Sequence, residues 1–362
     1  MISSRPVDIL ITGKIRSREI CLGVFSMAAR LCAAGVFRRI IFSGWREDFE
    51  LHPDLIQQLR ALQVVVVDNG PGLPVRSIGH YWEQIKTLQG GLACIEDGVH
   101  VFKTRTDMLF FEGDETVREI ISKNVGFPSE LEGFRERIWI PSFVGVQPFF
   151  MADQCFLGLA EDLRKFIAYD ATFESSGVHI PLFPGSQTHP SAASAEIRFW
   201  ITPFFQKFPL LREYLDIVPY SMNGYPHYPA LQEYQLQSGF YQEYLAVYWQ
   251  VLHRLFRVSE GRFVISNGLD EQGRIIVRAK SHTHDPADFI HAVRHLESPF
   301  PVSFSSDHGL STFLGADARA PFFDVYSRAA SRVSTYAYSV ERREGYHRYK
   351  QELAQLAGFS QP

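Results

Sequence analysis

Four short apolar runs separated by helical patterns occupy the first 110 residues and leave few folds open to this chain. VDILIT (Val7 to Thr12) reads as a buried strand. From Ser17 to Gly35 the apolar residues Ile20, Val24, Met27 and Leu31 recur at helical spacing, closed by a glycine. RRIIFSGW (Arg38 to Trp45) is a second strand, followed by a short helix that Pro53 and Asp54 open. VVVV (Val64 to Val67) is a third, ended by the turn cluster DNGPGLP; His80 to Glu96 is a further helix and Val99 to Arg105 a fourth strand. This order predicts an α/β fold with a mostly parallel sheet, right-handed crossovers and flanking helices. The continuous apolarity of the strands agrees, because a parallel sheet is buried on both faces.

Open α/β sheets bind ligands outside the carboxyl ends of their strands, which directs attention to the residues just past each one. The first such loop is TGKIRS, without the GxGxxG spacing of a dinucleotide site. The fourth strand runs into KTRTD, Lys103 to Asp107, two cations and a carboxylate at the point where an apolar run leaves the core. That combination suits a phosphorylated ligand and a divalent metal. Its plainer reading is a surface salt bridge at a strand end.

At 362 residues the chain is long enough for two compact domains. A hydrophobic content of 46%, a charged content of 21% and a net charge of -4 are those of an ordinary globular protein and give no global reason to expect nucleic acid. Charge is locally uneven: Lys14, Arg16, Arg18, Arg30, Arg38, Arg39 and Arg46 make the N-terminal region basic, suited to an anionic ligand or a membrane surface. Cys21, Cys32, Cys94 and Cys155 form no CxxC pair and read as reduced, buried small hydrophobes. The start, MISSRPVDIL, has no basic segment leading into an apolar one, and no run approaches 18 apolar residues, so a cytoplasmic protein, at most peripheral to a membrane, is expected.

After residue 110 the rhythm changes. A helix is expected from about Glu115 to Lys123, strands or an edge hairpin in Arg137 to Phe150, and helices over Leu157 to Tyr169 and Ser194 to Phe205. Between the last two lies a Pro-, Gly- and His-rich loop, Ser175 to Ser194, of the length that usually serves as a lid or binding loop. A helical stretch from Ala230 to Phe256, a strand pair around Phe263 to Ala279 and a helix from Ser339 to Leu356 complete the reading.

HYWEQIKTLQGGL, VFKTRTD, ADQCFLGLAEDL and SAEIRFWITPFF, in this order, resemble the WavE-like lipopolysaccharide synthesis family over roughly the first 210 residues. The shared elements are Gln84 with Gly91-Leu92, Lys103 to Asp107, Asp153 before Phe156 and Gly158, and Glu196 opening a helix. The resemblance implies a bacterial glycosyltransferase with a GT-A-like, Rossmann-type nucleotide-sugar domain at residues 1–210 and a helix-rich C-terminal extension, 211–362, serving the acceptor side or an accessory role. It implies a UDP-, GDP- or CMP-sugar donor and a glycan or lipid-linked glycan acceptor such as lipopolysaccharide core, O-antigen or capsule. Lipid-linked acceptor would be presented at the inner face of the cytoplasmic membrane.

Such a transfer needs counter-charge on the departing diphosphate, from Mn²⁺ or Mg²⁺ held by carboxylates or from fixed Lys and Arg. Asp107 is the first candidate metal ligand, with His284 of SHTHD as a C-terminal contribution to the shell of the kind the resemblance implies. Lys103 and Arg105 alternate onto the same strand face and are assigned to phosphate. Gly13, Lys14 and Arg16 would receive the nucleotide, glycine allowing close backbone approach; Asp68 and Asn69, past the third strand, would hold uracil or ribose; Gln84 is a further binding candidate. An inverting enzyme also needs a carboxylate base, for which Glu196 is the first candidate and Asp153 the second; a retaining one would not. Helix-start acid and loop cap are the plainer roles of these two, as loop charge and turn-forming residue are for Arg16 and Asp68. The competing functions are a nucleotidyl- or phosphotransferase on a similar sheet and a non-catalytic glycan-binding subunit of a polysaccharide assembly complex.

Overall fold

The structure, a computed structural model, describes residues 5–72, 81–110, 113–141, 143, 148–167, 195–217, 234, 238–258, 264–269, 275–279 and 340–356. Its elements fall into two compact units, neither of them a continuous stretch of chain: Met1–Ser142 with Ala152–Tyr169 and Arg254–His282, and Phe143–Met151 with Asp170–His253 and Thr283–Pro362.

The first unit begins with the expected alternation: β1 (Val7–Thr12), α1 (Arg18–Ala33), β2 (Ile40–Gly44), α2 (Arg46–Leu51), α3 (Pro53–Ala61), β3 (Val65–Asp68), α4 (Tyr81–Ala93) and β4 (His100–Arg105). The first helix starts where Ser17 Oγ accepts the Ile20 amide, and it is followed by Gly35 in the left-handed region. Pro53 occupies the first turn of α3, where its missing N–H costs nothing. The helix α2 was not legible, since REDFEL carries no apolar period. The unit continues through β5 (Leu109–Phe110), α5 (Gly113–Asn124), β6 (Ile138–Ile140), β7 (Phe156–Leu159) and α6 (Ala160–Leu163), followed by a turn of 3₁₀ helix over Arg164–Phe166.

Seven strands pair in the order β3-β2-β1-β4-β7-β6-β8, where β8 is Phe256–Val258. The pairs among β3, β2, β1 and β4 are parallel, β7 runs antiparallel to both neighbours, and β6 and β8 are parallel. A second sheet joins β5 to an antiparallel pair, β9 (Val264–Leu269) and β10 (Ile275–Ala279), the strand pair read from the sequence. The expected helix from Leu157 is corrected: Phe156–Leu159 is a strand set against His100–Lys103, and helix begins only at Ala160. A short apolar run has no period that separates strand from buried helix, and the open edge of β4 decides between them.

Ile9, Ile11 and Phe42 share one hydrophobic cluster with Val24, Phe25 and Leu31 of α1, Leu55 and Leu59 of α3, and Val117, Ile120 and Ile121 of α5. The Phe25 and Phe42 rings meet edge to face at 5.2 Å. Leu10 alternates to the opposite face, where α4 lies so close that a Cβ on Gly91 would come within 2.3 Å of Leu10 Cδ1. Helices therefore cover both faces of the parallel strands, α1, α3 and α5 on one and α4 on the other.

In the second unit the named elements are helices: α7 (Ala195–Ile201) running into a 3₁₀ turn, α8 (Leu211–Ile217), α9 (Gly239–Leu255, its last two residues counted with the first unit) and α10 (Val340–Leu356). Its core carries buried Tyr214, Tyr241, Tyr244, Tyr248, Tyr346 and Tyr349 around an ion-paired group in which Arg342 donates to Glu213 at 2.9 Å and Glu243 at 2.6 Å. Burial raises the phenols of Tyr214, Tyr241, Tyr244 and Tyr248 well above their ordinary range, so they remain neutral.

Candidate functional site

The strand order reverses between β1 and β4. From β1 the chain crosses through α1 to β2 on one side, whereas β4, reached through α4, pairs with β1 on the other, so the loops leaving β1 and β4 stand side by side at the carboxyl edge of the sheet. Ligands of open α/β sheets bind at this carboxyl edge. The two loops are tied together there: the Thr106 amide donates to Thr12 O at 3.0 Å and Thr106 Oγ to Lys14 O at 2.6 Å. Gly13 takes φ +108°, a conformation side-chain-bearing residues rarely adopt, which is the physical reason for glycine at the first position of this loop.

Three of the sequence candidates meet here. Arg105 donates to both oxygens of Asp107, Nε to Oδ1 at 2.8 Å and Nη2 to Oδ2 at 2.6 Å, and Arg16 Nη1 lies 3.3 Å from Oδ2. The Asp107 side chain is 5% exposed, Arg105 27% and Arg16 59%, so the carboxylate forms the floor and the guanidinium groups face outward. The amino end of α1 rises from the same loop, adding the partial positive charge of a helix start.

Asp48, on α2, is a fourth charged group that sequence reasoning missed. It accepts a hydrogen bond from the Ile15 amide and senses the Lys14 charge, while burial raises its pKa and leaves Oδ2 without a partner. Burial pushes the Cys21 thiol up to about 12, with further contributions from the carboxylates of Asp48 and Asp107, which therefore flank one cysteine. REDFEL contains several acids, and no feature of the linear sequence marks the buried one.

Lys103 does not join Arg105 at Asp107. It is buried, its Nζ donating to Asp153 O at 2.6 Å and Gln154 O at 3.2 Å and lying 5.3 Å from the centre of the Phe156 ring. Burial lowers its pKa to about 8, opposed first by the Asp153 carboxylate. The register that sets Phe156 against Lys103 brings the residues before Phe156 alongside the end of β4. Asp153 thus sits at the same sheet edge as Arg105 and Asp107, all three within electrostatic reach of Lys103, and its buried Oδ1 has no hydrogen-bond partner.

At the ends of β2 and β3, Asp68 Oδ1 accepts from the Gly70 amide at 2.7 Å and Oδ2 from Arg46 Nε at 3.1 Å, an Asx turn closed by an ion pair. Asn69 spends its amide on Ser43 Oγ at 2.9 Å and Gly44 O at 2.7 Å. Trp45 stacks on Trp82 of α4 with centroids 5.3 Å apart, and Gln84, two residues further along, carries a buried Nε2 without a partner.

Glu196 belongs to the second unit, half-buried in the first turn of α7. His284 and the loop 175–194 lie outside the described residues. Five of the seven N-terminal basic residues are ion-paired, Arg16 with Asp107, Arg30 with Asp114, Arg38 and Arg39 with Asp8, and Arg46 with Asp68, so the region is less of a free basic face than its composition implies. Among the described residues no helix is long and apolar enough to cross a membrane.

The metal that the family resemblance implies does not fit the described donor set. Both oxygens of Asp107 are taken by guanidinium groups, and no cluster of three or more His, Cys, Asp or Glu side chains able to hold a metal occurs among the described residues. No protein-family model matches the chain, and no curated protein matches it in sequence.

Proposed function

We propose that the chain is a glycosyltransferase that moves a sugar from a nucleotide-activated donor to a bacterial surface glycan, with a GT-A-like first unit. One observation carries the reading: two arginines anchored on Asp107, and a buried carboxylate with an unpartnered oxygen on Asp153, stand together at the carboxyl edge of β4 beside the end of β1. Arg16 and Arg105 supply positive charge where a leaving diphosphate develops negative charge. Asp153 supplies the base for an inverting transfer: the acceptor hydroxyl oxygen bonds to the anomeric carbon, its proton passes to the carboxylate, and the bond from that carbon to the diphosphate breaks, releasing nucleoside diphosphate. The Trp45–Trp82 stack and Gln84 lie at the same carboxyl edge, where the nucleoside would extend. The surface-glycan acceptor rests on the resemblance of the four motifs, and peripheral attachment to the inner membrane follows only if that acceptor is lipid-linked.

The test is a screen of UDP-, GDP- and CMP-sugars for thermal stabilisation, followed by product analysis with the stabilising donor. A ligand that binds only the folded state raises its stability with its affinity. Transfer or slow hydrolysis is expected, releasing nucleoside diphosphate from a UDP- or GDP-sugar and CMP from a CMP-sugar. Asp153→Asn should retain donor binding and lose turnover, with Glu196→Gln as the comparison. Pyrophosphate or a phosphorylated acceptor as product refutes the assignment.

A further inference from the structure

We infer that the donor's phosphate charge at this site is neutralised by arginine alone, with Asp107 serving as the tether that orients the guanidinium groups rather than as a metal ligand. The inference rests on the nucleotide-donor reading above and goes beyond it by assigning the counter-charge.

A divalent cation of the Mg²⁺ or Mn²⁺ kind is held by one or two carboxylates, water and phosphate oxygens, and needs carboxylate lone pairs directed at it. Asp107 has little to offer. Each oxygen accepts a short bond from Arg105, Oδ2 is shared with Arg16, and the side chain is almost completely covered. A cation bound there would first have to displace a bidentate Arg–carboxylate pair, among the stronger hydrogen-bonded arrangements available to a protein.

The arginines are arranged for an anion. Two guanidinium groups face the Asp107 carboxylate, and Lys14 on the same loop adds a third cation, with Asp48 as its acidic neighbour. Arg16 is the more loosely held of the two: it is more than half exposed and its ion pair with Asp107 is 3.3 Å, long for a charge-assisted bond. A phosphate oxygen replacing Asp107 Oδ2 as its partner exchanges one anionic acceptor for another and leaves the Arg105–Asp107 pair intact. Lys14 stands on the same loop, its carbonyl fixed by Thr106, so the loop that carries Arg16 is anchored to the end of β4. Asp153 is engaged differently, through the charge of Lys103, and is not part of the anion cradle.

Calorimetric titration of the full chain with UDP, GDP and CMP, in EDTA and again with Mn²⁺, tests this. The nucleotide that binds should do so with affinities agreeing within about twofold in the two buffers. Arg16→Ala, a change at an exposed side chain, should weaken it by about ten- to a hundredfold in both. Asp107→Asn, which keeps the shape but removes the charge that fixes the arginines, should weaken binding to the same degree with and without Mn²⁺. Binding that needs Mn²⁺ and loses that dependence in Asp107→Asn overturns the inference while leaving the nucleotide-donor reading standing. An unchanged affinity in Arg16→Ala overturns it as well. Absence of binding by all three nucleotides in both buffers removes the donor reading itself, and the inference with it.

Discussion

Replacing Gly90 by alanine should destabilise the protein on its own and stabilise it once Asn69 is removed. A Cβ at Gly90 would stand 2.0 Å from Asn69 Oδ1 and 3.3 Å from the buried Ser43 Oγ. The Asn69 side chain is the flexible party, but it is held by its bonds to Ser43 Oγ and Gly44 O. Moving it away forfeits two hydrogen bonds at about 1 kcal/mol each and strips a buried hydroxyl of its partner, for a total of roughly 2–3 kcal/mol. Against that, alanine inside a helix gains about 1 kcal/mol over glycine. Gly90→Ala should therefore cost about 1–2 kcal/mol net. In an Asn69→Ala background the obstruction is gone and the same change should stabilise by about 1 kcal/mol, a coupling of roughly 2–3 kcal/mol. Urea unfolding followed by tryptophan fluorescence measures these stabilities; Trp45, which adjoins Gly44 and stacks on Trp82, is one of the five tryptophans that contribute. An effect of Gly90→Ala that is equal in the two backgrounds to within about 0.5 kcal/mol refutes the reasoning.

Three further perturbations have defined outcomes. Lys103 is depressed from 10.5 to about 8, so between those values the unfolded chain binds the extra proton and stability rises with pH; wild type should gain on Lys103→Met as pH increases from 8 to 10.5, and parallel stability curves would contradict the burial. Asp8 is fully buried and accepts from Arg38 and Arg39 at 2.8 Å each. Asp8→Ala should cost about 2–3 kcal/mol in chemical denaturation, less than a fully buried pair because the arginines keep 38% and 29% exposure. In the second unit Glu213→Ala removes the acceptor of both Tyr244 and Arg342 from a buried site and should cost about 3 kcal/mol, with the loss appearing in near-ultraviolet tyrosine dichroism as well as in the unfolding midpoint.

Much of the parallel core was legible because its signals are local. The apolar runs at Val7–Thr12 and His100–Arg105 and the periods of the helices between strands are written within windows of a few residues, and they place Gly13, Arg16, Arg105 and Asp107 at strand ends without reference to anything distant. The strand at Phe156–Leu159 was misread as helix because its identity depends on β4, more than fifty residues earlier. Asp48 was invisible for a related reason: its neighbours Ile15 and Lys14 belong to another loop. Gly91 stood out in the sequence with Leu92 as part of a motif, and its cause, like that of Gly90, lies in residues that only the packed helix brings near, Leu10 for the one and Asn69 for the other.

The charges of KTRTD mark the difference most clearly. Sequence by itself determined that they fall at the end of a buried strand, since strand period and apolar content are properties of the segment. Tertiary structure decided what each charge does: β7 turned Lys103 inward onto the carbonyls of Asp153 and Gln154, and the loop after β1 brought Arg16 against Asp107. Alternation along a strand sets the face of a side chain, but its partners come from whichever loops the fold delivers there.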